Sequence, residues 1–143
     1  MALENWFKAS KLIKHKTNKE ELEAIFGVID RCFKDAGLKD LSSDQKYISS
    51  YQAAFEAAIA LVYCNGYRPI KAGHHYIIWQ CMKDLLEEDS RKTILLFESA
   101  AKKRNKLNYD IAGLASQKEA NEIYDEAKNF VSLVKEKIER FNM

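Results

Sequence analysis

The stretch "SSDQKYISSYQAAFEAAIALVYCNGYRP", Ser42 to Pro69, decides the fold class. Ile48, Tyr51, Phe55, Ala58 and Val62 recur at intervals of three and four, which is the period of one face of an α-helix and not of a strand. Ser42, with Gln45 three positions later, has the form of a capping box and predicts the start of this helix. The Asn65-Gly66 pair and Pro69, the sole proline of the chain, predict its end.

The same period governs the sequence on either side. Five glycines and one proline among 143 residues leave few points at which a helix must break. A first helix is expected over roughly residues 2 to 14. Thr17 with Glu20 predicts the cap of a second, which runs through "ELEAIFGVIDRCFKDA" and stops at Gly37, read as a left-handed C-terminal residue. A fourth helix is expected over residues 72 to 87, with Ile77, Ile78, Cys81, Met82, Leu85 and Leu86 turned to the core. Asp89 or Ser90 opens a fifth, and Ser116 with Glu119 opens the last. That last helix carries Ile123, Ala127, Phe130, Val134, Ile138 and Phe141 on one side. The expected fold class is all-α: an antiparallel up-and-down bundle of four long helices plus one or two shorter ones, in a single domain spanning 1–143. A chain of this length buries roughly 70% of its unfolded surface, enough for a hydrophobic core.

Bulk charge narrows the function classes. The formal net charge is only +2, so any attraction for polyanions must be local. Cys32, Cys64 and Cys81 are odd in number and lie among apolar residues, a pattern that suggests reduced thiols in a cytoplasmic protein and not a disulfide frame. No window approaches the length of a membrane span, and the N-terminal segment lacks the features of a secretory leader; a soluble chain without membrane contact is expected. The basic first segment, with Lys8, Lys11, Lys14, His15 and Lys16 around Trp6, Phe7, Leu12 and Ile13, is read as packing its aromatic residues on the core.

The local basic site is "AAKKRNKLNYD", Ala100 to Asp110. Lys102, Lys103, Arg104 and Lys106 fall in the last turns of the fifth helix, where cations offset the negative end of the macrodipole by about 0.3–1 kcal/mol each. Arg104 stands apart. It continues the line of Ile94, Phe97 and Ala101, and a planar, permanently charged guanidinium on a half-buried stripe calls for a carboxylate or a phosphate. Asn105 and Tyr109 share a helical face and could bond or stack with a ribose or base, or simply pack at the helix rim. His74 and His75 point about 100° apart on a helix, so they do not form an i, i+4 ligand pair, and no third ligand is evident. No metal and no cofactor are expected. Each histidine is a candidate acid or base, or a packed ring.

The order of "GYRPIKAGHHYIIWQ" (Gly66 to Gln80), "AAKKRNKLNYD" and "SQKEANEIYDEAKNFVSLVKEKI" (Ser116 to Ile138) resembles the HEPN superfamily, the higher-eukaryote and prokaryote nucleotide-binding domains. The resemblance covers about the last 90 residues. It implies a helical bundle that forms a homodimer and binds RNA or a nucleotide through Arg104, Asn105, Tyr109, Lys102, Lys103 and Lys106. It also implies a setting such as a toxin-antitoxin or antiviral system. Many members are metal-independent endoribonucleases whose motif runs arginine, polar residue, variable positions, histidine. Arg104 and Asn105 match its start, whereas Tyr109, Asp110 and Ile111 occupy the positions of the histidine. A phenol of ordinary pKa near 10 is ionised to about 0.1% at pH 7. A nuclease would therefore need Arg104 with His74 or His75 as its catalytic groups. A further alternative is a non-catalytic partner, either an antitoxin-like protein or the companion of a small nucleotidyltransferase.

Overall fold

The computed structural model describes residues 2–71, 74–109 and 112–141, without the side chains of Asn108 and Tyr109. The chain is an all-α bundle with one small two-stranded sheet. Its order is α1 (Glu4–Lys8), β1 (Leu12–Lys14), α2 (Lys19–Ala36), α3 (Ser43–Cys64), β2 (Tyr67–Pro69), α4 (His75–Leu85), a 3-10 turn (Glu88–Ser90), α5 (Arg91–Tyr109) and α6 (Gln117–Glu139).

Helix α3 is the axis of the bundle. Ser42 caps it by accepting from Gln45 N at 3.0 Å. Of its predicted stripe Tyr51, Phe55, Ala58 and Val62 are buried while Ile48 is only half-buried, and Tyr47, Ser50, Ala53, Ala54, Ala57, Ala60 and Leu61 are also inside. A helix with so wide a buried face belongs at the centre, and α3 packs against α2, α4, α5, α6 and β2. The many alanines let these neighbours approach closely. Around Trp79 of α4 the core becomes aromatic: Trp79 stacks on Phe97 at 5.1 Å, and Phe130 meets the two rings at 5.8 and 5.2 Å. Such pairs add about 0.5–1.5 kcal/mol each beyond the area they bury.

Several predicted boundaries are corrected. The first helix does not run from 2 to 14. It ends at Lys8 in a Schellman arrangement, with Ser10 N donating to Phe7 O and Lys11 N to Trp6 O, while Ser10 takes the left-handed region at φ 61. The chain then forms β1, which pairs antiparallel with β2 in the register Leu12↔Pro69, Ile13↔Arg68, Lys14↔Tyr67. Of the α1 aromatics expected to pack on the core, Trp6 does so, half-buried and donating to Asp84 at 2.7 Å, while Phe7 is half-buried 5.5 Å from Tyr67 of β2.

The cap of α2 is Asn18, whose Oδ1 accepts from Glu21 N, and not Thr17. Thr17 instead donates its hydroxyl to Glu21 Oε1. Gly37 has φ −87 and so is not left-handed. A Cβ there would lie 3.3 Å from Phe33 O and 3.7 Å from Tyr124 Oη, so close packing, not handedness, favours glycine. Helix α4 is shorter than expected: His74 is its N-cap and Leu86 lies beyond its end. The Ser116–Glu119 capping box of α6 is formed in both directions.

Candidate functional site

Three elements converge on His75. Tyr51 of α3 is fully buried, and its hydroxyl lies 2.6 Å from His75 Nδ1 and 2.9 Å from Trp79 Nε1. The imidazole is stacked on Phe55 with centroids 3.9 Å apart and planes at 17°. These contacts assign the protons. An indole N–H can only donate, so Tyr51 Oη accepts from Trp79. The hydroxyl proton of Tyr51 then has a single acceptor among the described residues, His75 Nδ1. The imidazole is thereby held neutral with its proton on Nε2. Burial, and then the positive charge of Arg104, push the His75 pKa down to about 4, and burial pushes the Tyr51 hydroxyl well above the ordinary phenol range. At neutral pH this histidine is a fixed donor.

Arg104 lies on the other wall. The α5 stripe runs as read from spacing: Ile94 and Phe97 are buried, Ala101 is half-buried, and Arg104 follows at the edge of the core. Arg104 and His75 line a cleft of about 450 Å³, with Gln52 and Glu56 of α3 and with Arg68 of β2 at its rim. Among the described residues Arg104 forms no ion pair. Its Nη1 makes one long hydrogen bond, 3.4 Å to Asn105 Oδ1. Its Nε is shielded from solvent and has no partner; Ser50 Oγ is the other such atom among the described residues. A buried donor without an acceptor costs about 1–3 kcal/mol, and more when charged.

The remaining predicted residues divide. His74 sits at the N-cap of α4 without a side-chain capping bond and lines neither this cleft nor its neighbour. Asn105 and Lys102 line a second cleft of about 440 Å³ that shares His75 as a wall and carries Tyr76 and Leu95. Lys103 is engaged within the fold: its ammonium pairs with Glu119 and lies over the Tyr47 ring. That bond and the Ser116 cap hold the Glu119 carboxyl down to about 2. Lys106 is exposed. The side chain of Tyr109, and residues Asp110 and Ile111, lie outside the described residues.

Asp44 secures the chain beyond α5, accepting from Gly113 N and Ala115 N. With the Lys103–Glu119 pair it ties the end of the Arg104 helix to α3 and α6. Among the described residues no group of three or more His, Cys, Asp or Glu converges as metal ligands would, and no helix is long and apolar enough to cross a membrane. The three cysteines are free thiols; burial pushes Cys64 up to about 11 and Cys81, with Asp84 adding to the effect, to about 12.

Spacing did not reveal Tyr51, Phe55, Glu56 or Arg68 as part of this site. For Glu56 a signal existed, since it is the lone charged residue between Lys46 and Arg68. No protein-family model matches the chain, and no curated protein matches it.

Proposed function

We propose that this chain is a HEPN-like domain that binds RNA or a nucleotide, with Arg104 holding a phosphate in the cleft between α3, α4 and α5. The observation that carries this reading is the state of the Arg104 guanidinium: unpaired with any carboxylate among the described residues, with a buried unpartnered Nε, and lining an open cleft. A planar donor fork of permanent charge suits a phosphate, to which it can give two parallel hydrogen bonds. His75, which lines the same cleft, carries a neutral N–H donor at Nε2. Asn105, bonded to Arg104, and Lys102 extend the polar surface into the adjoining cleft.

The endoribonuclease alternative needs an imidazole that accepts a proton from a ribose hydroxyl. With Tyr51 committed to Nδ1, His75 presents a proton at Nε2 where a base must present a lone pair. Binding without cleavage is therefore the preferred reading. Partnership in a dimer, or with a nucleotidyltransferase or antitoxin, is compatible with the same cleft.

The test is fluorescence anisotropy with a labelled single-stranded RNA in EDTA, followed by electrophoresis of the same samples. Wild type binds and leaves the RNA intact. Arg104→Ala weakens binding by roughly tenfold or more, as expected for loss of a charge-assisted contact, and reduces the dependence of log Kd on log salt by about 0.7. Affinity unaltered by Arg104→Ala would overturn the reading, and cleavage lost in His75→Asn would establish the nuclease instead.

A further inference from the structure

Glu56 is a carboxylate that the fold pairs with no cation among the described residues. It stands on α3 one turn after Gln52, on the wall of the cleft that holds Arg104 and His75. It is half-buried beside Ile25, Phe55 and Ile59 of the same wall, where an aliphatic side chain would serve packing as well. Among the described residues its one hydrogen bond comes from Gln52 Nε2 to Oε1 at 3.0 Å. It makes no ion pair among them, although Arg104 and Arg68 line the same cleft. Burial pushes its carboxyl up, partly opposed by the Gln52 bond. A partly desolvated carboxylate with an oxygen left over is a titratable group of the kind that marks binding sites.

Arg104 and His75 Nε2–H give the cleft donors for an anion, while Glu56 gives it an acceptor. A ligand that satisfies both carries a negative group and, within the span of the same cleft, a hydrogen-bond donor such as a hydroxyl. The sugar-phosphate unit of RNA has this form through its 2′-hydroxyl; that of DNA keeps the phosphate and lacks this hydroxyl. We infer that Glu56 accepts a hydrogen bond from a ribose hydroxyl of the nucleotide whose phosphate lies on Arg104, so that the cleft selects ribonucleotide over deoxyribonucleotide strands. The inference rests on the phosphate-binding reading above and adds the sugar to it.

The experiment measures the affinity of a short oligouridylate and of its deoxyuridine counterpart for wild type, Glu56→Leu, Glu56→Gln and Arg104→Ala. Wild type favours the ribose strand by roughly tenfold, the scale of one hydrogen bond to a charged acceptor. Glu56→Leu brings the ratio close to one by weakening the ribose strand, while the deoxyribose strand binds as before or more tightly because a negative charge has left the cleft. Glu56→Gln, which keeps a neutral acceptor, falls between, and it carries the test if thermal unfolding shows that the leucine variant does not fold. Equal wild-type affinities, or a Glu56→Leu variant that tightens both strands alike, would overturn the inference. If Arg104→Ala leaves both affinities unchanged, the phosphate reading fails first, and the two failures are told apart.

Discussion

Replacing Tyr51 by phenylalanine removes one oxygen atom and tests the proton assignment on which the reading of His75 depends. Tyr51 is fully buried, and its hydroxyl serves two partners, Trp79 Nε1 at 2.9 Å and His75 Nδ1 at 2.6 Å. Trp79 is itself fully buried, so in Tyr51→Phe its N–H loses its acceptor without gaining water. That loss costs about 1–3 kcal/mol, and the missing bond to His75 adds about 0.5–1.5 kcal/mol. The expected destabilisation is about 2–4 kcal/mol, a large share of the stability of a domain of this size. The assay is chemical denaturation, where the midpoint falls at unchanged slope. A companion measurement is long-range nitrogen–proton NMR of the imidazoles, which in wild type places the His75 proton on Nε2. A loss below about 0.5 kcal/mol, or a wild-type proton on Nδ1, would refute the reasoning.

Two further outcomes are expected. His75 has a folded-state pKa lowered to about 4, so between pH 6.5 and 4 the unfolded chain binds the extra proton and stability falls as pH falls. The full shift is worth about 3 kcal/mol, and exposure of part of the ring reduces this to about 1–2 kcal/mol. Glu56, raised by burial, acts in the opposite sense, so the measured quantity is the stability difference between wild type and His75→Asn, which shrinks from pH 7 to pH 4.5; a pH-independent difference contradicts the assignment. Asp44→Ala removes the acceptor for two backbone N–H groups beyond α5 and lowers stability by about 1–2 kcal/mol in denaturant titration; Asp44→Asn, which keeps one acceptor oxygen, loses less.

The long helices were legible because their signals are local. Ser42 and Ser116 cap through their own hydroxyls, and the apolar stripes of α3, α5 and α6 follow from spacing alone. Where two local signals competed, spacing could not choose: Thr17–Glu20 and Asn18–Glu21 have the same form, and the asparagine caps while the threonine bonds to the Glu21 carboxylate. Strand β1 was illegible because it is three residues long, and α1 ends at a serine in a conformation usually given to glycine. It exists because β2, far along the chain, offers a partner.

The site divides along the same line. Arg104 could be found by following the stripe of Phe97 and Ala101 off the end of the core. The Tyr51–His75–Trp79 cluster joins residues 24 and 28 positions apart through tertiary packing, to which spacing gives no access. Arg68 reaches the cleft from β2, which is paired with β1 and packed on α3.

An NMR titration that follows the Arg104 guanidinium nitrogens and protons, with a short single-stranded RNA as titrant, reports directly on that side chain. Saturable shifts of the Arg104 guanidinium signals are expected, with a midpoint equal to the Kd from anisotropy. Guanidinium signals of Arg104 that stay fixed while RNA saturates the protein elsewhere would contradict phosphate binding at Arg104.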